Sequence, residues 1–284
     1  MTLVVTGATG HLGRLTIDSL LAAGTPAEEI LATGRNPEKL EQLASLGVRT
    51  AQASFDDPAA LEAVFAGADA VLLISGNELG ERVRQHTNAI EAAANVDVGR
   101  IVYTSVLGGD PEKLVLAPEH VATEQAILAS GLPYTILRNG WYNENYAQTL
   151  AQAAETGAVI GSAGNGRVAS ASRRDYAEAA AAVLAGTGHQ NTTYELSGDT
   201  AWDQQAFAAV LTEVTGREVT YRDLSSEDHL AALVGAGLDE GTAGFLTALD
   251  AGIRDGALEL TTGDLSRLIG RPTTPLADTL RELS

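Results

Sequence analysis

The chain has 284 residues, 45% of them hydrophobic, no cysteine and a formal net charge of −19. Its length and apolar content suffice to bury a sizeable core, as one large domain or a domain with a smaller lobe, and exclude a disordered chain. The missing cysteines exclude disulfides, thiolate nucleophiles and cysteine-ligated metal clusters, the five histidines are scattered without metal-ligand spacing, and the acidic balance opposes binding to phosphate backbones.

Met1 leads directly into an apolar strand near residues 2–6. No basic leader or long apolar segment is seen, so neither a signal peptide nor a membrane span is expected and the expected location is the cytoplasm. Residues 4–13, Val-Val-Thr-Gly-Ala-Thr-Gly-His-Leu-Gly, join this strand to a helix over 11–23. Gly7 permits the tight turn, Gly10 the approach of a pyrophosphate and Gly13 close packing of helix on strand, while the first-turn N–H groups face the anion. This predicts a dinucleotide site touching Thr6, Gly7, Thr9, Gly10, His11, Leu12 and Gly13. A glycine-rich turn without a ligand is the alternative, but the rest of a βαβ unit follows.

The second strand, 29–34, ends at Arg35 with no carboxylate in the turn. An acidic residue there would hold the ribose 2′-hydroxyl of NAD, whereas an arginine can fork onto the 2′-phosphate of NADP, so Arg35 points to NADP. Lys39, in the helix over 36–46, offers a second charge. After the third strand, 48–53, Phe55 and Asp56 are placed to flank an adenine, although Asp56-Asp57-Pro58 also reads as the start of the helix over 58–66. The fourth strand, 69–75, ends at Ile74, Ser75 and Gly76, and the helix over 82–95 carries His86. His86 is either a secondary proton source or a packing residue. The fifth strand, 98–104, ends at Thr104, and the sixth, 133–138, leads into Asn139. Alternation of strands and helices implies a parallel sheet covered on both faces, a doubly wound Rossmann-type α/β fold whose ligands lie at the carboxyl ends of the strands.

Beyond residue 140 the pattern changes to helices over 143–156, 173–186, 203–215, 226–236 and 239–256, with short strands around 192–197 and 218–222. Thr262 and Asp264 read as a helix cap, and Thr274-Pro275 opens a last helix. The expected organisation is a dinucleotide-binding domain over 1–140, completed by parts of 173–197, and a smaller mixed α/β lobe over 141–284 that closes the substrate pocket.

The Tyr-x-x-x-Lys pair by which many dehydrogenases protonate a substrate oxygen is missing, since Lys39 follows Arg35 and Lys113 follows Gly109 at that spacing, and the chain has no third lysine. In the helix over 119–130, His120 and Glu124 stand one turn apart, as a proton-handling pair or as a helix-surface pair. Residues 137–146, Leu-Arg-Asn-Gly-Trp-Tyr-Asn-Glu-Asn-Tyr, concentrate aromatics in a chain that is 5% aromatic. Trp141 and Tyr142 can pack on a flat ring, and Asn143 and the Tyr142 hydroxyl can donate to an oxygen gaining charge; a hinge between lobes is the alternative. Arg138 reads as a tie between the strand end and a carboxylate.

At these residues the chain resembles the NmrA-like, atypical short-chain dehydrogenases, and within them the flavin-free type 2 NAD(P)H:quinone oxidoreductases. The resemblance runs nearly end to end, through TGATGHLG, ATGRNP, LLISG, RQHTNAIEAA, EHVATEQ, PYTILRNGWYNENY, ASASRRDYAEAAA, YELSGDTAW and LIGRPTTPL. It implies NADPH as reductant, a quinone or similar planar acceptor, a two-lobed fold and a homodimer. The branch also holds redox-sensing regulators that bind the dinucleotide and catalyse nothing, and that alternative stays open on the residues alone.

Overall fold

The computed structural model describes residues 1–284. Strands β1 (Leu3–Val5), β2 (Ile30–Gly34) and β4 (Ala70–Leu73) are buried at every position, and such continuous apolar runs need helical cover on both faces. They lie inside a seven-stranded parallel sheet whose order is β3 (Arg49–Gln52), β2, β1, β4, β5 (Ile101–Val106), β6 (Tyr134–Asn139) and β9 (Thr192–Leu196). Val4 sits opposite both Leu31 and Val71, in the middle of that sheet.

Helices α1 (His11–Ala22), α2 (Pro37–Ala44), α7 (Arg173–Ala185) and α11 (Asp264–Ile269) bury Ile17, Leu40, Tyr176 and Leu265 against one face. Helices α3 (Pro58–Phe65), α4 (Arg82–Asn95) and α5 (Ala117–Ser130) bury Phe65, Ile90 and Ile127 against the other. The fold is the expected doubly wound Rossmann-type sheet. Helix starts follow local chemistry: the Asn36 side chain accepts the Lys39 N–H at 3.0 Å and the Asp57 side chain that of Ala60 at 3.1 Å, each ahead of a proline at the first helical position. Between β1 and β4 the strand order reverses, and the crevice this opens at the carboxyl ends positions the site.

The remaining elements are α6 (Ala147–Thr156), β7 (Ala158–Gly161), β8 (Arg167–Val168), β10 (Trp202–Asp203), α8 (Gln204–Thr215), β11 (Thr220–Asp223), α9 (Ser226–Gly235), α10 (Glu240–Arg254) and α12 (Leu276–Leu283). A further core cluster gathers Trp202, Phe207, Leu211 and Ile253 with Val106 of β5 and Ala117 of α5. Here the structure departs from the sequence expectation. The segment predicted as one helix over 143–156 starts as a 3-10 turn, Asn143–Tyr146. Strands β7, β8 and β10 were not legible, being two to four residues long and defined by pairing with distant segments, β7 with β11 and β8 with β10. No helix is long and apolar enough to cross a membrane.

Candidate active site

The crevice is a cavity of about 570 Å³ that runs along the carboxyl ends of the strands. Thr33, Arg35 and Phe55 line it on the β2–β3 side, and Ser105, His120, Trp141 and Tyr142 on the β5–β6 side, with the glycine turn between.

The turn is built for close approach. Gly7 has φ +60°, which a side chain disfavours, and the N–H of Gly10 donates back to the Gly7 carbonyl at 2.9 Å. A Cβ on Gly13 would stand 2.4 Å from the Gly7 oxygen and 2.7 Å from the Ala8 Cα, so only glycine lets α1 come this near to the turn. Gly10 gives α1 no side-chain cap, which leaves its first-turn N–H groups for a ligand. Thr6 Oγ1 donates to the Leu72 carbonyl and accepts from the Ile74 N–H, both at 3.0 Å, locking β1 to β4 just beneath the turn. Thr104 does the same one strand over, its Oγ1 accepting from the Ser75 N–H at 2.9 Å. Thr104 therefore stands behind the wall, holding Ser75 in it, and is not itself a lining residue.

At the β2–β3 side Arg35 Nη1 lies 2.5 Å from Glu78 Oε1, and Gln85 donates to the other oxygen of the same carboxylate at 2.9 Å. These two donors, Gln85 first, hold the Glu78 carboxyl below its usual range. Lys39 Nζ donates to the Thr9 carbonyl at 3.3 Å, which brings its charge to the glycine turn. Phe55 is in the wall, but Asp56 turns away to Arg84 at 2.6 Å and is held below the ordinary carboxylate range chiefly by that contact. Asp56 thus belongs to a surface ion pair, because the Arg84 cation on α4 outcompetes an uncharged ring for it. Thr33 Oγ1 is buried in the wall without a partner, and so is Asn139 Oδ1 on the opposite side. The cradle at Gly13, the uncapped helix and these two orphaned oxygens all fit a bound dinucleotide.

At the β5–β6 side the Tyr142 ring meets Tyr176 edge-to-face at 5.1 Å and has the Arg173 guanidinium 5.0 Å from its centre. Its hydroxyl accepts from Asn139 Nδ2 at 3.4 Å. Asn143, expected beside the substrate, is instead fully buried and outside the wall, donating to Thr279 Oγ1 of α12 at 3.0 Å. The 3-10 turn rotates it toward the last helix. Arg138 is tied to Glu124 at 2.7 Å and Glu195 at 2.8 Å. Glu124, committed to Arg138 and Ser105, is not the partner of His120, whose Nδ1 lies 2.7 Å from the Tyr103 hydroxyl. Arg173 and Leu116 also line the wall; Arg173 lies in the family-like segment ASASRRDYAEAAA, but neither residue was singled out from the sequence, since α7 and the turn before α5 reach the cavity only through packing. No cluster of three His, Asp or Glu side chains that could hold a metal is present.

His86 is fully buried behind Gly76, whose N–H donates to its Nε2 at 3.0 Å. Burial, with Arg82 second, pushes its pKa down to about 3, so His86 is a neutral acceptor that shapes the Ser75–Gly76 turn and no proton source. His120 is likewise held at about 3, chiefly by burial. Both histidines regain an ordinary pKa near 6.5 on unfolding, so the unfolded chain binds more protons between about pH 6.5 and 3 and stability falls as pH drops through that window. At pH 5.5 the two together are expected to cost about 2–3 kcal/mol relative to neutral pH. Chemical denaturation at pH 7.5 and 5.5 checks this, and His86→Gln should flatten the dependence.

Residues 7–187 match the family described as NAD(P)H-binding, and the chain belongs to that family. Within it, the likeness to the type 2 quinone oxidoreductases extends over the whole chain. Quinone oxidoreductase 2 of Escherichia coli is 46% identical over 281 residues, covering 99% of this chain and 98% of that one. The crystal structure of the NADPH-dependent quinone oxidoreductase from E. coli in complex with NADPH superimposes with a TM-score of 0.96 over 99% of both chains. The triphenylmethane reductase of Citrobacter sp., solved with NADP(H), follows at 37% identity and a TM-score of 0.94 over the full length of both.

Proposed function

We propose that the protein reduces quinones with NADPH in a single two-electron step, without flavin. The observation that carries this reading is one cavity that joins a glycine cradle and Arg35 to an aromatic wall of Trp141 and Tyr142. The 46% identity to a quinone reductase over the full chain favours turnover over mere sensing of the dinucleotide.

The first-turn N–H groups of α1 and the turn from Gly7 to Gly13 would hold the pyrophosphate, Arg35 the 2′-phosphate, and Phe55 and Thr33 the adenosine. Ile74, Ser75 and Gly76 would flank the chain of the dinucleotide, and Asn139 would offer its free Oδ1 near the nicotinamide. When bound, NADPH supplies a hydride, and a solvent proton completes the hydroquinone. Trp141 and Tyr142 orient a planar acceptor and exclude water from it. A quinone spreads incoming charge over two oxygens, so positioning contributes much of the rate and the missing Tyr-x-x-x-Lys pair is not required. The family resemblance also implies a homodimer, checked by analytical ultracentrifugation. The cytoplasmic reading rests on the cysteine-free composition and the use of a soluble dinucleotide.

The direct test follows absorbance of the reduced nicotinamide with flavin-free protein and benzoquinone. Protein-dependent oxidation that prefers NADPH to NADH supports the proposal; binding without consumption, across several quinones, would leave a sensor. Glu78 gives a second check, because its carboxylate occupies the guanidinium meant for the 2′-phosphate. Glu78→Gln is expected to tighten NADPH about two- to fivefold, with NADH unchanged, by fluorescence titration.

A further inference from the structure

Four side chains not absorbed by the dinucleotide site form two neighbouring sets of hydrogen bonds whose directions can be worked out. His86 Nε2 accepts the Gly76 N–H, so its own hydrogen sits on Nδ1 and is donated to Thr123 Oγ1 at 3.1 Å. Thr123 in turn donates to the Glu119 carbonyl at 2.9 Å, which leaves it no hydrogen to give. The Tyr103 hydroxyl is fully buried; the Thr123 hydroxyl also stands beside it, but the hydrogen bond of good geometry is the one with His120 Nδ1 at 2.7 Å. A buried phenol hydrogen without an acceptor is costly, so Tyr103 donates and His120 Nδ1 accepts. The hydrogen of His120 therefore resides on Nε2, which has no partner in the protein, on a side chain 6% exposed that lines the cavity.

We propose that the His120 Nε2–H donates the hydrogen bond that stabilises the substrate carbonyl oxygen as negative charge gathers on it, with Tyr103 as the positioning residue that fixes the tautomer. This rests on the quinone-reductase reading. The imidazole keeps its proton throughout, and the proton of the hydroquinone comes from water. Arg82 and His86 face it from α4, Tyr103 from β5 and Glu119, paired with Arg82 at 3.0 Å, from its own helix. The burial and the Arg82 cation that hold its pKa at about 3 keep it a neutral donor at every working pH.

The tautomer is read directly from imidazole ¹⁵N shifts in the free protein. The expected signal is Nε2–H from pH 5.5 to 8, becoming mixed in Tyr103→Phe; an Nδ1–H tautomer in the native protein overturns the proposal. In turnover, His120→Phe is expected to lower kcat about 10–100-fold with the NADPH Kd within about twofold, while His120→Gln, which keeps an N–H, retains more activity. Undiminished kcat in folded, NADPH-binding His120→Phe overturns it, as does a native ionisation near pH 6–7 that disappears in His120→Gln. Should His120→Phe fail to fold, Tyr103→Phe decides, and full native kcat there overturns the tautomer argument. Wild-type protein that binds NADPH but reduces no quinone would instead defeat the functional reading, with the tautomer result standing separately.

Discussion

Gly13→Ala is expected to weaken NADPH more than about tenfold and to lower stability by about 1–3 kcal/mol, a drop of several degrees in Tm. Two effects compete. Alanine in a helix is favoured over glycine by up to about 1 kcal/mol. Against it, the new Cβ would meet the Gly7 oxygen at 2.4 Å and the Ala8 Cα at 2.7 Å, both backbone atoms that no rotamer change can move aside. The clash wins, and it is relieved only by pushing α1 off the turn, which opens the cradle. Gly244→Ala in α10 is the control: its Cβ meets nothing within 4 Å, so the same substitution there is expected to raise Tm slightly and leave binding unchanged. Equal behaviour of the two variants would remove the close-packing role of Gly13.

Arg35→Asp is expected to weaken NADPH more than about tenfold while NADH changes little, a reversal of preference measured by fluorescence titration of both dinucleotides. The guanidinium lost is the one that would fork onto the 2′-phosphate, and the carboxylate introduced would stand beside Glu78, so two negative charges would then oppose a third. Because Arg35 keeps 68% of its side-chain surface exposed, its loss is expected to leave Tm nearly unchanged, which separates binding from folding. An equal loss for NADPH and NADH would sink the assignment of the 2′-phosphate. The effect should shrink with added salt, as expected of an exposed charge contact.

Several features were legible from the order of residues alone because their causes are local. The glycine spacing, the proline after Asn36 and after Asp57, the apolar runs of β1, β2 and β4 and the arginine closing β2 each depend on turn chemistry and periodicity within about ten residues. They led to a doubly wound sheet, and to a family resemblance whose fold and likeness to quinone reductases the comparisons support. The short strands β8 and β10 were not legible, because they exist only through each other.

The side of the wall on which a residue falls is a different kind of fact. His120 and Glu124 share a helix face in sequence, yet β5 supplies the phenol that takes one and β6 the guanidinium that takes the other. Asn143 sits in the aromatic motif but is turned to Thr279, which is 136 residues away in the chain, and Asp56 follows Phe55 directly yet pairs with Arg84 on α4. Each outcome was set when a buried or charged group found its partner across the fold, because an unpaired polar group inside a protein costs more than any local preference can return. The signature of a dinucleotide site is therefore written in short contiguous motifs, whereas the identity of the groups lining the rest of the cavity emerges only when elements distant in the chain pack on one another.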